Sequence, residues 1–161
     1  MRIVLQRVRS ACVRVGGVQV GAIATGYVAL IGVARGDTTA DVNYLCRKLI
    51  ALRLWPDAAG KMNRSLLEAV APPAVLAISQ FTLLADTRRG LRPSFEQAAR
   101  PEQARTLYAS LIAQLRSAGV TVATGVFQAD MDVELVNTGP VTIMLDSHQG
   151  VASKTQISAG V

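Results

Sequence analysis

The sequence predicts one α+β domain: a mixed, mostly antiparallel sheet curling toward a barrel, with two main helices flanking it. Three observations lead there. The chain has 161 residues, 50% of them hydrophobic, which suits one core of ordinary single-domain size. Seven stretches carry strand signals, and only two carry long helical ones. Parallel strands need crossover connections, usually helices, so seven strands with two helices must pair largely antiparallel.

The first strand is read over 2–15. Val13-Arg14-Val15 and Val18-Gln19-Val20 alternate around Gly16-Gly17, the pattern of a tight hairpin, which gives strands over 18–24 and 27–34. The twenty residues from Val15 to Ala34 carry no charge, the length of a membrane span. Gly16, Gly17, Gly21, Gly26 and Gly32 would weaken a helix there, so strands are the better reading.

A helix follows, with Asp37 to Thr39 as caps, Val42, Leu45, Cys46, Leu49 and Leu52 at helical spacing, and Pro56 as its stop. Ser65 and Glu68 form a capping box for a short helical turn. Ala74 to Ile78 suits a buried strand. Pro101, the stripe Leu107, Leu111, Ile112 and Leu115, and Gly119 outline the second helix. Strands over Val120 to Phe127, Asp132 to Val136 and Val141 to Leu145 close the fold, with turn chemistry at Asn137-Thr138-Gly139-Pro140.

Seventeen Lys and Arg against eleven Asp and Glu leave a net charge of +6, and fourteen of the cations are Arg. That favours anionic partners, since the guanidinium fork binds phosphate bidentately. Cys12 and Cys46 are too few for a disulfide scaffold and lack metal-site spacing. Arg2, Arg7 and Arg9 interrupt any secretory h-region at the N-terminus. A reduced, cytoplasmic protein without membrane attachment, metal or cofactor is expected.

The catalytic inventory is poor. The one histidine, His148, sits in a polar tail and reads as solvated, which argues against a Ser-His-Asp triad. Cys12 on a strand and Cys46 on an apolar stripe read as buried, neutral thiols. Asp130, Asp132 and Glu134 read as a solvated face, and no Gly-rich loop cradles a phosphate.

Polarity does interrupt an apolar strand where Ala77-Ile78 runs into Ser79-Gln80-Phe81-Thr82. These residues offer hydroxyls, an amide, a flat ring for stacking and backbone N–H groups for an oxyanion; the alternative is an ordinary strand terminus. Downstream, Arg88, Arg89 and Arg92 either grip phosphates or stand as plain loop arginines. Gly139-Pro140 marks a turn or an edge, with a trans bond as the ordinary state.

Together, Ser79-Gln80-Phe81-Thr82 and Gly139-Pro140-Val141-Thr142, supported by Gly60-Lys61-Met62-Asn63 and Arg92-Pro93-Ser94-Phe95, make the chain resemble the D-aminoacyl-tRNA deacylase family. The likeness runs from Met1 to about Asp146, which sets a domain over 1–146 and a small, polar tail over 147–161. The resemblance implies a homodimer in which each Gly139-Pro140 bond is cis and enters the partner's site. There its carbonyls exclude an L side chain and leave D-aminoacyl and glycyl esters able to bind.

The substrates so implied are D-aminoacyl-tRNA and mischarged glycyl-tRNA. Water would attack the ester while N–H groups near Phe81 and Thr82 hold the oxyanion and the terminal ribose 2'-OH assists. Thr82 would be a site residue rather than the nucleophile, because no neighbouring base is evident to activate it. Phe127 and Met131 match positions that contact the terminal adenosine, although Phe127 equally reads as a core aromatic.

One departure is Thr138, where the family often has Asp before Gly-Pro, which would alter the hydrogen bonding of that motif. The alternatives are a chirality-relaxed deacylase, a non-catalytic tRNA-binding module and a hydrolase of small esters. Salt dependence separates RNA binders from the last, because phosphate contacts make affinity fall with salt.

Overall fold

The structure, a computed structural model that describes residues 1–148, is organised around its first strand. β1 (Arg2–Val15) buries Ile3, Leu5, Val8, Ala11 and Val13. On one edge, residues 2–8 pair with β3 (Gly26–Gly32) and residues 11–15 with β2 (Val18–Ile23), both antiparallel. The other edge pairs antiparallel with β8 (Asp132–Asp146). Two parallel neighbours follow outward from β3, namely β6 (Ala74–Ser79) and then β7 (Thr121–Thr124).

The resulting mixed sheet curls until β2 approaches β7, as the sequence predicts. A Cβ on Gly21 would fall 2.5 Å from the Thr124 carbonyl oxygen, so this approach requires glycine. Val8, Val13, Val28, Leu76 and Ile78 pack in one core. The other face of the sheet packs Ile3, Leu5, Ala29, Ile31 and Ala77 against the helices.

α1 (Thr39–Ala51) starts where Thr38 caps it. The Thr38 hydroxyl accepts from Ala40 N–H at 3.2 Å, and the Asp41 carboxylate accepts from Thr38 N–H at 2.8 Å, a capping box worth about 1 kcal/mol. Its buried stripe is Val42, Leu45, Cys46 and Leu49. It ends at Ala51 rather than running to Pro56, because Leu52 already takes extended backbone. α2 (Leu66–Ala69) begins at the expected Ser65–Glu68 box, where Glu68 accepts from the Ser65 N–H and hydroxyl at 2.7 and 2.8 Å. α3 (Pro101–Ser117) buries Leu107, Tyr108, Leu111, Ile112 and Leu115, and Gly119 follows its end at φ +84.

Several expectations need correction. The two strands expected over 132–136 and 141–145 are one, β8: Asn137 pairs with Val8 and Thr142 with Gln6, so the residues between them bulge out without reversing the chain. The Asn137 amide closes the bulge, accepting from Val141 N–H at 3.1 Å and donating to Thr142 Oγ1 at 2.9 Å. β7 stops at Thr124, short of Phe127, because Gly125 packs on Met131 and Gln128 turns to φ +66.

A small ribbon of β4 (Trp55–Pro56) and β5 (Met62–Arg64) was not expected. Asp57 organises its loop by accepting from Ala59 N–H, Lys61 N–H and the Asn63 amide. Cys12 is half-buried, with Sγ 3.5 Å from Glu134 Oε2, rather than buried. The expected tail is anchored where it starts: Ser147 is 1% exposed and its hydroxyl accepts from the Met1 ammonium at 2.6 Å. Its residues 149–161 lie outside the described ones. Among the described residues, no helix is long and apolar enough to cross a membrane.

Candidate active site

β6 is buried through Ile78, and at Ser79 its ladder with β3 ends. Gln80 N–H still donates to the Ile31 carbonyl at 2.7 Å, after which Phe81–Leu84 winds into one 3-10 turn anchored by buried Leu84. Gly32 makes room for that turn: a Cβ there would collide with the Leu84 side chain and come within 3.0 Å of the Gln80 carbonyl oxygen. The N–H groups of Phe81 and Thr82 open the turn and have no earlier carbonyl within it to bond.

This corner forms one wall of a cleft of about 600 Å3. Ser79, Gln80 and Phe81 line it together with Phe127, Gln128, Ala129, Asp130 and Met131. The N-terminal end of α3 contributes Pro101 and Ala104. Tyr108 fixes α3 against β6 by donating to the Ala77 carbonyl at 2.9 Å; burial pushes this phenol up to about 12.

The cleft thus joins Ser79, Gln80 and Phe81 to Phe127 and Met131. Phe127 is half-buried and leans on the Tyr108 ring, centroids 6.1 Å apart, so it is partly core and partly wall. Thr82 stands next to the lining rather than within it, and its hydroxyl accepts from the Gln80 amide. That partner is not a base, so nothing there removes the hydroxyl proton.

Arg88, Arg89 and Arg92 lie on an exposed loop outside the cleft lining. Arg88 is already paired. Its guanidinium donates to Asp86 at 2.6 and 2.9 Å and holds that carboxyl down at about 2. Among the described residues Arg89 and Arg92 form no ion pair.

Gly139 and Pro140 sit on the exposed bulge of β8, joined by a cis peptide bond, and do not line their own chain's cleft. Gly139 has φ +119, and a Cβ on it would fall 2.8 Å from Arg7 Nη2 and 2.8 Å from Val141 Cγ2. Arg7 braces the bulge by donating to the Thr138 and Leu54 carbonyls at 3.2 and 2.6 Å, 5.4 Å from the Trp55 ring centroid. The Thr138 hydroxyl is buried without a partner among the described residues.

Sequence reasoning gave no role to Phe95, Gln128 or Arg105. Phe95 lines the cleft beside Phe81; its signal was an aromatic closing the Arg92-Pro93-Ser94-Phe95 run. Gln128 shows itself only through its positive φ, which is uncommon for a residue other than glycine. His148 lies elsewhere, largely exposed, with its ring nitrogen 2.9 Å from Asp37. Burial raises the Cys46 thiol above its ordinary value, which disfavours the thiolate.

Among the described residues, the cleft lining holds no histidine, cysteine or lysine, and one carboxylate, Asp130. Such a site can orient a planar group against aromatic rings and offer N–H donors to a developing oxyanion. Among the described residues, no hydrogen bond joins the Ser79 or Thr82 hydroxyl to a base.

Residues 4–146 match the family model described as D-Tyr-tRNA(Tyr) deacylase. Proteins named D-aminoacyl-tRNA deacylase are similar along nearly their whole length. That of Symbiobacterium thermophilum is 55% identical over 92% of this chain and 97% of its own. That of Anaeromyxobacter dehalogenans is 54% identical over 92% of this chain and 99% of its own. Among solved structures, the c-Myc DNA Unwinding Element Binding Protein superposes with a TM-score of 0.82 at 37% identity, over 91% of this chain and 98% of that one. A probable eukaryotic D-amino acid tRNA deacylase shares the fold, with a TM-score of 0.75 at 17% identity over 89% and 97% of the two chains.

Proposed function

This chain belongs to the D-Tyr-tRNA(Tyr) deacylase family and is a D-aminoacyl-tRNA deacylase, a hydrolase, and we propose that it works by positioning an already activated ester rather than by a side-chain nucleophile. The observation that carries this reading is the cleft itself, where donors and aromatic rings converge around Ser79, Gln80 and Phe81 and, among the described residues, no hydrogen bond joins a hydroxyl to a base. An aminoacyl ester carries its own activating ammonium and neighbouring ribose hydroxyl. Water attacks the carbonyl carbon, the N–H groups of Phe81 and Thr82 receive the oxyanion, and the terminal ribose 2'-OH relays the proton to the departing 3'-oxygen.

The terminal adenosine lies against Phe127 and Met131, and Arg89 and Arg92 meet the RNA backbone. Two copies of the chain complete each site, because the exposed Gly139-Pro140 bulge cannot serve the cleft of its own subunit. From the partner, its carbonyls leave no room for an L side chain. Glycine has no side chain to exclude, so mischarged glycyl-tRNA is a second substrate. Charged tRNA as substrate supports a cytoplasmic enzyme.

The test is hydrolysis of D-tyrosyl-tRNA by wild type and Thr82→Ala, and of the same ester on a terminal 2'-deoxyadenosine. Thr82→Ala should keep activity within about threefold, while loss of the 2'-OH should cost about a hundredfold or more, the range of positioned acid–base catalysis. A trapped acyl-Thr82 ester would overturn the mechanism. Binding of charged tRNA without ester loss would overturn the activity.

A further inference from the structure

Arg105, on the first turns of α3, stacks its guanidinium on Phe127, with the guanidinium carbon 4.6 Å from the ring centroid. The same guanidinium donates to Gln128 Oε1 at 3.3 Å. Phe127 and Gln128 line the cleft, whereas Arg105 does not. The guanidinium therefore backs these two residues from outside the lining.

The turn it backs is one that needs support. Gln128 adopts φ +66, in the left-handed region that side chains other than glycine enter at a cost, and such residues persist where surrounding contacts hold them. Ala129 N–H closes the turn on the Val126 carbonyl at 3.2 Å. Tyr108, itself fixed to Ala77, leans on the Phe127 ring at an interplanar angle of 44°. Among the described residues, Arg105 alone both stacks on the ring and hydrogen-bonds the side chain of the strained residue. Among the described residues it pairs with no carboxylate.

We propose that Arg105 is a positioning residue for the terminal nucleoside of the substrate: it clamps the 126–129 turn so that Phe127 and Gln128 present a preformed platform to the cleft. This rests on the reading of the cleft as an aminoacyl-tRNA site. Arg105 touches no reacting atom, so its loss weakens substrate capture and leaves the chemical step alone. A flat, forked cation is required, because a lysine ammonium cannot both stack on the ring and reach the Gln128 amide in one plane.

The experiment measures kcat, KM and salt dependence on D-tyrosyl-tRNA for wild type, Arg105→Ala, Arg105→Lys, Phe127→Ala and the double variant Arg105→Ala/Phe127→Ala. Arg105→Ala should raise KM about fivefold or more, within the effect of a lost stacking contact, with kcat within about twofold and the melting temperature within about 2 °C. Arg105→Lys should recover less than half of the loss. The double variant should be no worse than Phe127→Ala alone, since both changes remove one platform.

Additive losses in the double variant would overturn the proposal. So would a salt slope lowered by about one in Arg105→Ala, which would mean that the guanidinium meets a phosphate directly. A wild-type protein that does not hydrolyse D-tyrosyl-tRNA would overturn the underlying reading and this proposal with it, whereas full wild-type activity with an unchanged Arg105→Ala would overturn this proposal alone.

Discussion

Phe81 stands edge-on to Phe95, with ring centroids 5.0 Å apart and planes at 70°. Both rings are partly exposed and line the same cleft. What sets Phe95 there is the pair of backbone hydrogen bonds between Asp86 and Ser94, at 2.8 and 2.9 Å. An edge-to-face pair is worth about 0.5–1.5 kcal/mol, so Phe95→Ala should reduce kcat/KM for D-tyrosyl-tRNA by about threefold to tenfold, with Phe95→Leu intermediate. Steady-state kinetics beside a melting curve checks this.

Gly139→Ala introduces a Cβ 2.8 Å from both Arg7 Nη2 and Val141 Cγ2, at a φ of +119 that L side chains rarely adopt. The bulge must shift to relieve it. Since the residue is exposed, the fold should survive and the specificity should not. The expected outcome is a drop of about tenfold or more in the ratio of D- to L-tyrosyl-tRNA hydrolysis, with the urea midpoint little changed.

The loop arginines should not behave alike. Arg88 is held by Asp86, whose carboxyl it keeps at about 2. Arg88→Ala should let that carboxyl rise toward about 3.9, visible by carboxyl-carbon NMR, while the salt slope of tRNA binding stays put. Arg89→Ala and Arg92→Ala should each lower that slope by about 0.7–0.9. A depressed carboxylate supports the fold above its unfolded value and loses that support as pH falls toward 2, so Arg88→Ala should also flatten the acid limb of stability. The pair is exposed, and salt should weaken this effect.

Alkali tests the core. Burial pushes the phenols of Tyr27 and Tyr108 up to about 12. Groups whose folded value is raised support the fold fully below about 10 and lose that support as pH rises to about 12, by at most about 3 kcal/mol each. Urea unfolding between pH 9 and 12, with phenolate absorbance as the second probe, should show this loss, and Tyr108→Phe should shrink it.

What the sequence made legible is local. The Gly16-Gly17 hairpin, the Ser65–Glu68 box and the stripe from Leu107 to Leu115 each rest on spacing within one element, and all three are present. Asn137-Thr138-Gly139-Pro140 also carries local turn chemistry, yet the chain does not reverse there, because both flanks stay paired to β1. That pairing joins residues more than 100 apart in sequence and leaves no trace in a short window. Likewise Ser79, Gln80 and Phe81 were legible as polarity at a strand's end. The part played by Arg105 depends on a turn 23 residues away, and the neutralisation of Arg88 by Asp86 on a side-chain geometry that spacing does not specify.

The proposed hydrolysis distinguishes the hand of the aminoacyl group without a side-chain nucleophile. Its most direct test is release of tyrosine from matched D-tyrosyl-tRNA and L-tyrosyl-tRNA by the purified protein. Rapid loss of the D ester with the L ester left intact is the predicted result. Equal loss of both, or loss of neither, would contradict it.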